Sequence, residues 1–257
     1  MHHPPAARVL VASAFATAAL LTATACSVAF PDAAPSAPGS TRSRATAPSS
    51  AEPRALTEEQ VRAALISEAD LGEPWMPTQG AATWRDRLLK ADTDDPDCHR
   101  LLDVLYTEEV FGAATGPHAV VGLDDGYHET QLRYRVAAHR PADADRTLAW
   151  LRALPGRCER FTAVTRSGDE QRVHVTGLPL PNAGDARQGL RVTLSGETAD
   201  GEPTFLTVEV AAVRVGEHTI SLTNGGQGDV PADATWKAVE LGTQRLTEIR
   251  KQGRVEI

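Results

Sequence analysis

The chain's patterning predicts an α+β fold, a largely antiparallel sheet with helices packed on one face. Three observations support this. Leu190, Val192 and Leu194, and again Leu206, Val208 and Val210, alternate with polar residues, so each run buries one side and leaves the other wet. Short Gly-containing turns join the strand-like runs, which marks hairpins rather than long crossovers. Segments with helical spacing lie at both ends of the patterned region and between its strands, each with a start or stop signal.

Thr57 followed by Gln60 is a capping-box pattern, and Val61, Ala64 and Leu65 form the apolar stripe of a first helix. Asp95 before Pro96 starts a second, with Leu101, Leu102, Val104 and Leu105 behind it. "AVVGL" and "TQLRYRVAA" flank Asp124-Asp125-Gly126 as a hairpin. Asp143 begins a third helix carrying Leu148, Leu151 and Leu154, and Pro155-Gly156 is expected to end it. "RVHVTGL", "LRVTLSGE" and "FLTVEVAAVRV" follow as strands, and Gly216-Glu217 turns the chain into "HTISLT". A last helix is predicted over 231–252 with Trp236, Val239, Leu246 and Ile249 on its buried side. Trp150, two residues from Leu148, falls off its helix's stripe and is expected to be partly exposed.

Upstream of this domain the composition changes twice. Residues 1–25 carry one charge, Arg8, then the apolar run "VLVASAFATAALL" and the small residues Ala23-Thr24-Ala25, the layout of a secretory signal. The run is short and rich in Ala and Thr for a transmembrane helix. Cleavage before Cys26 fits an ordinary signal peptidase, and it equally resembles a lipobox whose cysteine becomes acylated. With three cysteines, a pairing of Cys98 with Cys158 leaves Cys26 odd, and acylation accounts for it. Residues 26–55, rich in Ala, Pro and Ser, read as a Pro-stiffened linker with a reach on the order of 30 Å. Residues 56–257 form one globular domain. The expected partner is thus the membrane, through a lipid anchor on its extracytoplasmic face.

The net charge of −8, with acidic residues dispersed, disfavours a nucleic-acid partner. "DTDDPDC" fails as a calcium loop, because Pro96, Asp97 and Asp103 stand where an oxygen ligand, Gly and Glu belong; helix capping is the preferred reading. His118, His128, His139, His174 and His218 show no metal spacing, and His174 and His218, on strands, are expected to face solvent or fill gaps. There is no GxSxG and no Ser-x-x-Lys. The reading is therefore no catalytic residue, no metal and no cofactor. Outside the cytoplasm Cys98 and Cys158 are expected to be oxidised, closing a loop worth roughly 4 kcal/mol in the chain-entropy argument; two buried thiols are the alternative. Trp75 and Trp84 are the candidates for lining a ligand cleft.

"LTEEQVRAALISEADLG", Trp75, Cys98, "VFG" at 110–112, Cys158, "GLPLPNAGDA" and "VEVAAVRVGEHTISL" together resemble the PknH-like extracellular sensor domain. That family occurs outside receptor serine/threonine kinases and as stand-alone actinobacterial lipoproteins. The resemblance implies an antiparallel sheet flanked by helices, a cleft for an unidentified ligand, and a disulfide at the positions of Cys98 and Cys158. Departures are the missing second cysteine pair of some members and the Pro155-Gly156 interruption; there is no kinase signature. The sequence thus points to a lipid-anchored, non-catalytic module that binds a small-molecule or envelope ligand. An envelope hydrolase with a triad from distant residues and a lipid carrier with a deep apolar cavity are the alternatives.

Overall fold

A computed structural model of the protein describes residues 55–198, 200–228 and 230–255. The element order is α1 (Glu58–Ala63), α2 (Glu68–Leu71), β1 (Trp75–Pro77), a π-helical turn (Arg85–Leu89), β2 (Ala91–Asp92), α3 (Pro96–Thr107), β3 (His118–Asp125) and β4 (Thr130–Ala138). It continues with α4 (Pro141–Arg157), β5 (Arg160–Thr165), β6 (Glu170–Gly177), β7 (Ala186–Glu197), β8 (Pro203–Val215), β9 (His218–Gly226) and α5 (Ala232–Val255). The strands form one sheet in the order β1-β3-β4-β9-β8-β7-β6-β5-β2, antiparallel at every pairing. The α+β antiparallel prediction is what the fold shows.

Local chemistry accounts for the helix starts. Thr57 Oγ1 accepts from the Gln60 amide at 3.2 Å while Gln60 Oε1 accepts from the Thr57 amide at 2.9 Å, a complete capping box. Asp95 Oδ1 accepts from the amides of Asp97 and Cys98 at 2.9 and 3.1 Å, and Pro96 occupies the first helical position, where no amide hydrogen is needed.

The helices cover both faces of the sheet, not one. Along β8, Leu206, Val208, Val210 and Ala212 join a core with α3 and α4, whereas Ala211, Val213 and Val215 join a second core with α1 and α5. Residues alternate sides along a strand, so the two cores lie on opposite faces. The reason is visible in β8 and β9: 206–213 and the whole of β9 are buried, the signature of strands covered on both sides. We call the two sides the α4 face and the α5 face.

Three further expectations are corrected. Pro155 does not end α4, which runs to Arg157; the Leu148–Leu151–Leu154 stripe holds the last turn on the sheet, and the proline deletes only one donor near the helix end. Trp150 is buried, because its indole donates to Asp97 Oδ1 at 3.0 Å and the Arg100 guanidinium stacks 3.9 Å from its ring centre. Trp236 is 45% exposed: Val239, Leu246 and Ile249 meet the core as expected, but the first turns of α5 bury Thr235 and Ala238 in place of Trp236.

Gly242 explains how closely α5 approaches. A Cβ there would collide with the Tyr134 hydroxyl below it. Tyr134 is fully buried, its hydroxyl has no partner among the described residues, and burial holds its phenol pKa well above the usual value. Tyr134→Phe is expected to stabilise the fold by about 1 kcal/mol, since it removes an unpaired buried polar group. Gly242→Ala is expected to cost about 1–3 kcal/mol alone, and clearly less in the Tyr134→Phe background. Urea unfolding of the two single variants and the double variant checks the coupling.

Burial makes His218 acid-sensitive. It is 3% exposed, neither ring nitrogen has a partner among the described residues, and burial, with the Arg250 and His139 charges adding to it, lowers its pKa to about 4. The folded state therefore binds fewer protons than the unfolded state between those two pKa values. Stability is full above the unfolded value of about 6.5 and is lost as the pH falls through about 4, by up to on the order of 3 kcal/mol. His139, also lowered by burial, adds to the same slope. Melting temperature should fall between pH 7 and 5 in the natural chain and more shallowly in His218→Leu.

Candidate functional site

The two helical layers are offset along the sheet. On the α4 face the helices lie over β5–β8, and on the α5 face they lie over β3, β4, β9 and β8. The α5 face of β5, β6 and the later part of β7 carries no helix, the loop at Leu180 covering β7 only near Gly189, and Thr162, Arg172 and Thr193 show at least part of their surface there.

Register makes this surface an ordered array. Arg160 lies opposite His174, which lies opposite Thr193; Thr162 lies opposite Arg172, which lies opposite Ser195. Directly opposed side chains have Cβ atoms about 5 Å apart and diagonal ones about 7–8 Å. These residues, with the intervening Phe161 and Val173 whose side chains face the α4-side core, line an open groove of about 510 Å³. A contiguous opening of about 370 Å³ shares Thr162, Arg172 and Ser195 and continues to Glu170 and Glu197. Phe205, 45% exposed and opposite Ser195, adds an apolar flank.

None of Thr162, Arg172, His174, Thr193 and Ser195 makes a side-chain hydrogen bond or ion pair among the described residues. Arg160 has only an exposed contact to Glu159 at 3.9 Å. The next row behaves differently: Arg191 Nη2 meets Glu209 Oε1 at 2.6 Å, and Glu209 is fully buried. Its other oxygen and the Asn224 side-chain oxygen are buried without partners, while Asn224 Nδ2 donates to Thr235 of α5 at 3.2 Å. That row closes the groove toward α5.

A second polar cluster pairs its charges internally, although Arg135 Nε is buried there without a partner among the described residues. A cavity of about 130 Å³ on the α4 face is lined by Glu108, Arg133, Arg135, Ser221 and Thr223 among others. Glu108 Oε1 meets Arg85 Nη1 at 2.6 Å and accepts from Thr223 Oγ1 at 3.3 Å, and Glu108 Oε2 accepts from Arg133 Nε at 3.0 Å. Its charges are already matched, so it reads as a structural clasp.

The residues expected from sequence fall elsewhere. Trp84, 5% exposed, packs in the α4-side core, and Trp75 packs against the α5-side core, so the two stand on opposite faces and neither lines the groove. Cys98 and Cys158 are joined, with their sulfurs 2.10 Å apart, which links the start of α3 to the residue after α4. Cys26 and the signal and linker segments lie outside the described residues. Among the described residues no helix is long and apolar enough to cross a membrane. In the acidic run Asp95 caps α3 and stands beside the bonded cysteine sulfurs, while Asp97 holds Trp150 and Arg157, the latter at 2.6 Å. Both aspartates thus serve the helix and its neighbours.

Sequence reasoning missed Arg160, Thr162, Arg172, Thr193 and Ser195 as a group, and weighed His174 only as a lone histidine. The signal was the polar alternate positions of "RFTAVT", "EQRVHVTG" and "RVTLSG", which share a face once the three strands are in register.

No protein-family profile matches the chain, and no curated protein matches it either. Among solved structures, the extracellular domain of PknH from Mycobacterium tuberculosis aligns with 78% of this chain and 100% of its own length, at 14% identity and a TM-score of 0.42. A likeness that distant transfers neither residues nor function.

Proposed function

We propose that the protein is an exported, lipid-anchored, sensor-like module that binds its ligand without transforming it, and that the ligand contacts the open α5 face of β5, β6 and β7. The observation that carries this reading is the array itself: polar side chains in fixed register on rigid strands, with their hydrogen-bonding capacity unspent inside the fold. The signal-like start, the odd Cys26 and the bonded Cys98–Cys158 pair support an oxidising, extracytoplasmic site of action.

A hydrolase would use the same groove differently. Among the described residues His174 makes no hydrogen bond to Ser195, to Thr193 or to a carboxylate that could orient it, so nucleophile, base and orienter are not linked. A lipid carrier needs a closed apolar chamber, whereas the most enclosed of the cavities described above holds about 130 Å³ and is lined by charged and hydroxyl groups.

Amide-resolved NMR of the chain against peptidoglycan fragments, neutral glycans and phospholipid head groups tests the proposal. Binding should shift amides within 160–176 and 191–197 and return every probe unchanged. Shifts confined to other surfaces overturn the site, and a probe converted to product overturns the non-catalytic reading.

A further inference from the structure

Resting on that reading of the open face, we propose that the groove recognises a tetrahedral oxyanion, a phosphate or sulfate group of its ligand, through Arg160, Arg172 and His174. Arg160 and Arg172 occupy diagonal positions of the array, His174 sits opposite the first and two residues from the second, and hydroxyls of Thr162, Thr193 and Ser195 fill the remaining places. No carboxylate stands among the six. Elsewhere on the sheet and its helices, Arg85, Arg133, Arg191, Arg214 and Arg245 all have carboxylate partners.

Donor chemistry selects the class of anion. A guanidinium offers five N–H donors and no acceptor, in a fork that fits two oxygens at once. Two such forks, an imidazole and three hydroxyls exceed what the two oxygens of a carboxylate can accept, and they suit a group with three or four oxygens. Arg172 has no ion pair among the described residues, and the Arg160–Glu159 contact is long and exposed, so an arriving anion displaces no strong internal partner. Glu170 and Glu197, one row beyond Arg172 and Ser195, bound the site and repel a second negative charge at that end. A volume of about 510 Å³ leaves room for the neutral part of the molecule that carries the oxyanion.

The test uses the full chain with Cys26→Ser, titrated with inorganic phosphate at low ionic strength while amide shifts are followed, with maltotriose as a neutral probe. Phosphate should give saturable shifts at 160–162, 172–174 and 193–195, weakened by added salt. Arg160→Gln and Arg172→Gln should each reduce affinity by about tenfold or more, the loss expected for a charge-assisted contact, and Arg172→Lys should restore part of it. Both arginines are exposed, so the variants should melt with the parent, which a thermal scan verifies. Vesicles of phosphatidylglycerol, compared with phosphatidylcholine, separate a lipid head group from a soluble phosphate: selective pelleting with the former assigns the lipid, and shifts with free phosphate alone assign the soluble source. Shifts that are absent, or unchanged in both glutamine variants, overturn the proposal. If maltotriose moves the groove amides and phosphate does not, the binding face stands and the oxyanion assignment falls; if neither probe does, both fall.

Discussion

Replacing Cys98 and Cys158 together by serine should lower the stability of the domain by about 2–5 kcal/mol and its melting temperature by roughly 10 °C. The bridge closes a loop with a sequence separation of 60, which limits the unfolded chain's freedom far more than a local link would. It also anchors a packed seam. The two sulfurs lie in the α4-side core beside Leu101 and Leu154, and Asp97, next to Cys98, clasps both Trp150 and Arg157 of α4. Serine hydroxyls placed there would be buried where the cysteines are 1% exposed, which adds a polar-burial cost to the lost cross-link. Calorimetry of the natural chain with and without reductant, beside the double variant, checks this. Equal melting temperatures would mean that packing alone carries the seam.

Arg85→Met should be comparably damaging, at about 3–5 kcal/mol, the range for removing one partner of a buried ion pair. Arg85 is 9% exposed. Its Nη1 meets Glu108 at 2.6 Å, and its Nη2 donates to the carbonyls of Leu105 and Tyr106 at 3.3 and 2.5 Å, groups that the end of α3 leaves without intrahelical partners. Glu108 itself holds a left-handed backbone with φ of 60° and carries Arg133 on its other oxygen. One guanidinium therefore ties the π-helical turn, the end of α3 and, through Glu108, strand β4. Glu108→Gln should also be costly, because the amide keeps one acceptor oxygen but turns an N–H donor toward one of the two guanidiniums and removes their shared counter-charge. Urea midpoints would measure both, and a loss below about 1 kcal/mol for Arg85→Met would show that the clasp is dispensable.

Features that depend on neighbouring residues were legible in the sequence. The caps at Thr57 and Asp95 and the apolar alternation of β7 and β8 are short-range, and the fold shows them where the pattern placed them. Features set by partners distant in sequence were not. "RFTAVT" follows the disulfide directly and alternates Arg and Thr with modest apolar residues, so it becomes a strand only through its pairing with β6 and β2. The π-helical turn at Arg85–Leu89 owes its place to the clasp with Glu108, 23 residues away. The single-sided expectation fails because the alternation of Leu206, Val208 and Val210 describes one face of β8 only, whereas the unbroken apolar run Val210–Val213 marks burial on two. Trp150 and Trp236 sit at the margins of correctly placed stripes, where partners distant in sequence decide burial: Asp97 and Arg100 enclose Trp150, and Trp236 stays exposed. The groove was least legible of all. Arg160, Arg172 and His174 are ordinary outward positions on their own strands, and only the register across three strands collects them.

The most direct test of the central claim, an anchored domain presenting its groove outside the cytoplasm, is the intact mass of the membrane-associated mature protein before and after reduction and alkylation. The expected species is a chain beginning at Cys26 with added acyl mass, and two thiols, Cys98 and Cys158, that react only after reduction. A free, unacylated species, or thiols open to alkylation from the start, would contradict it.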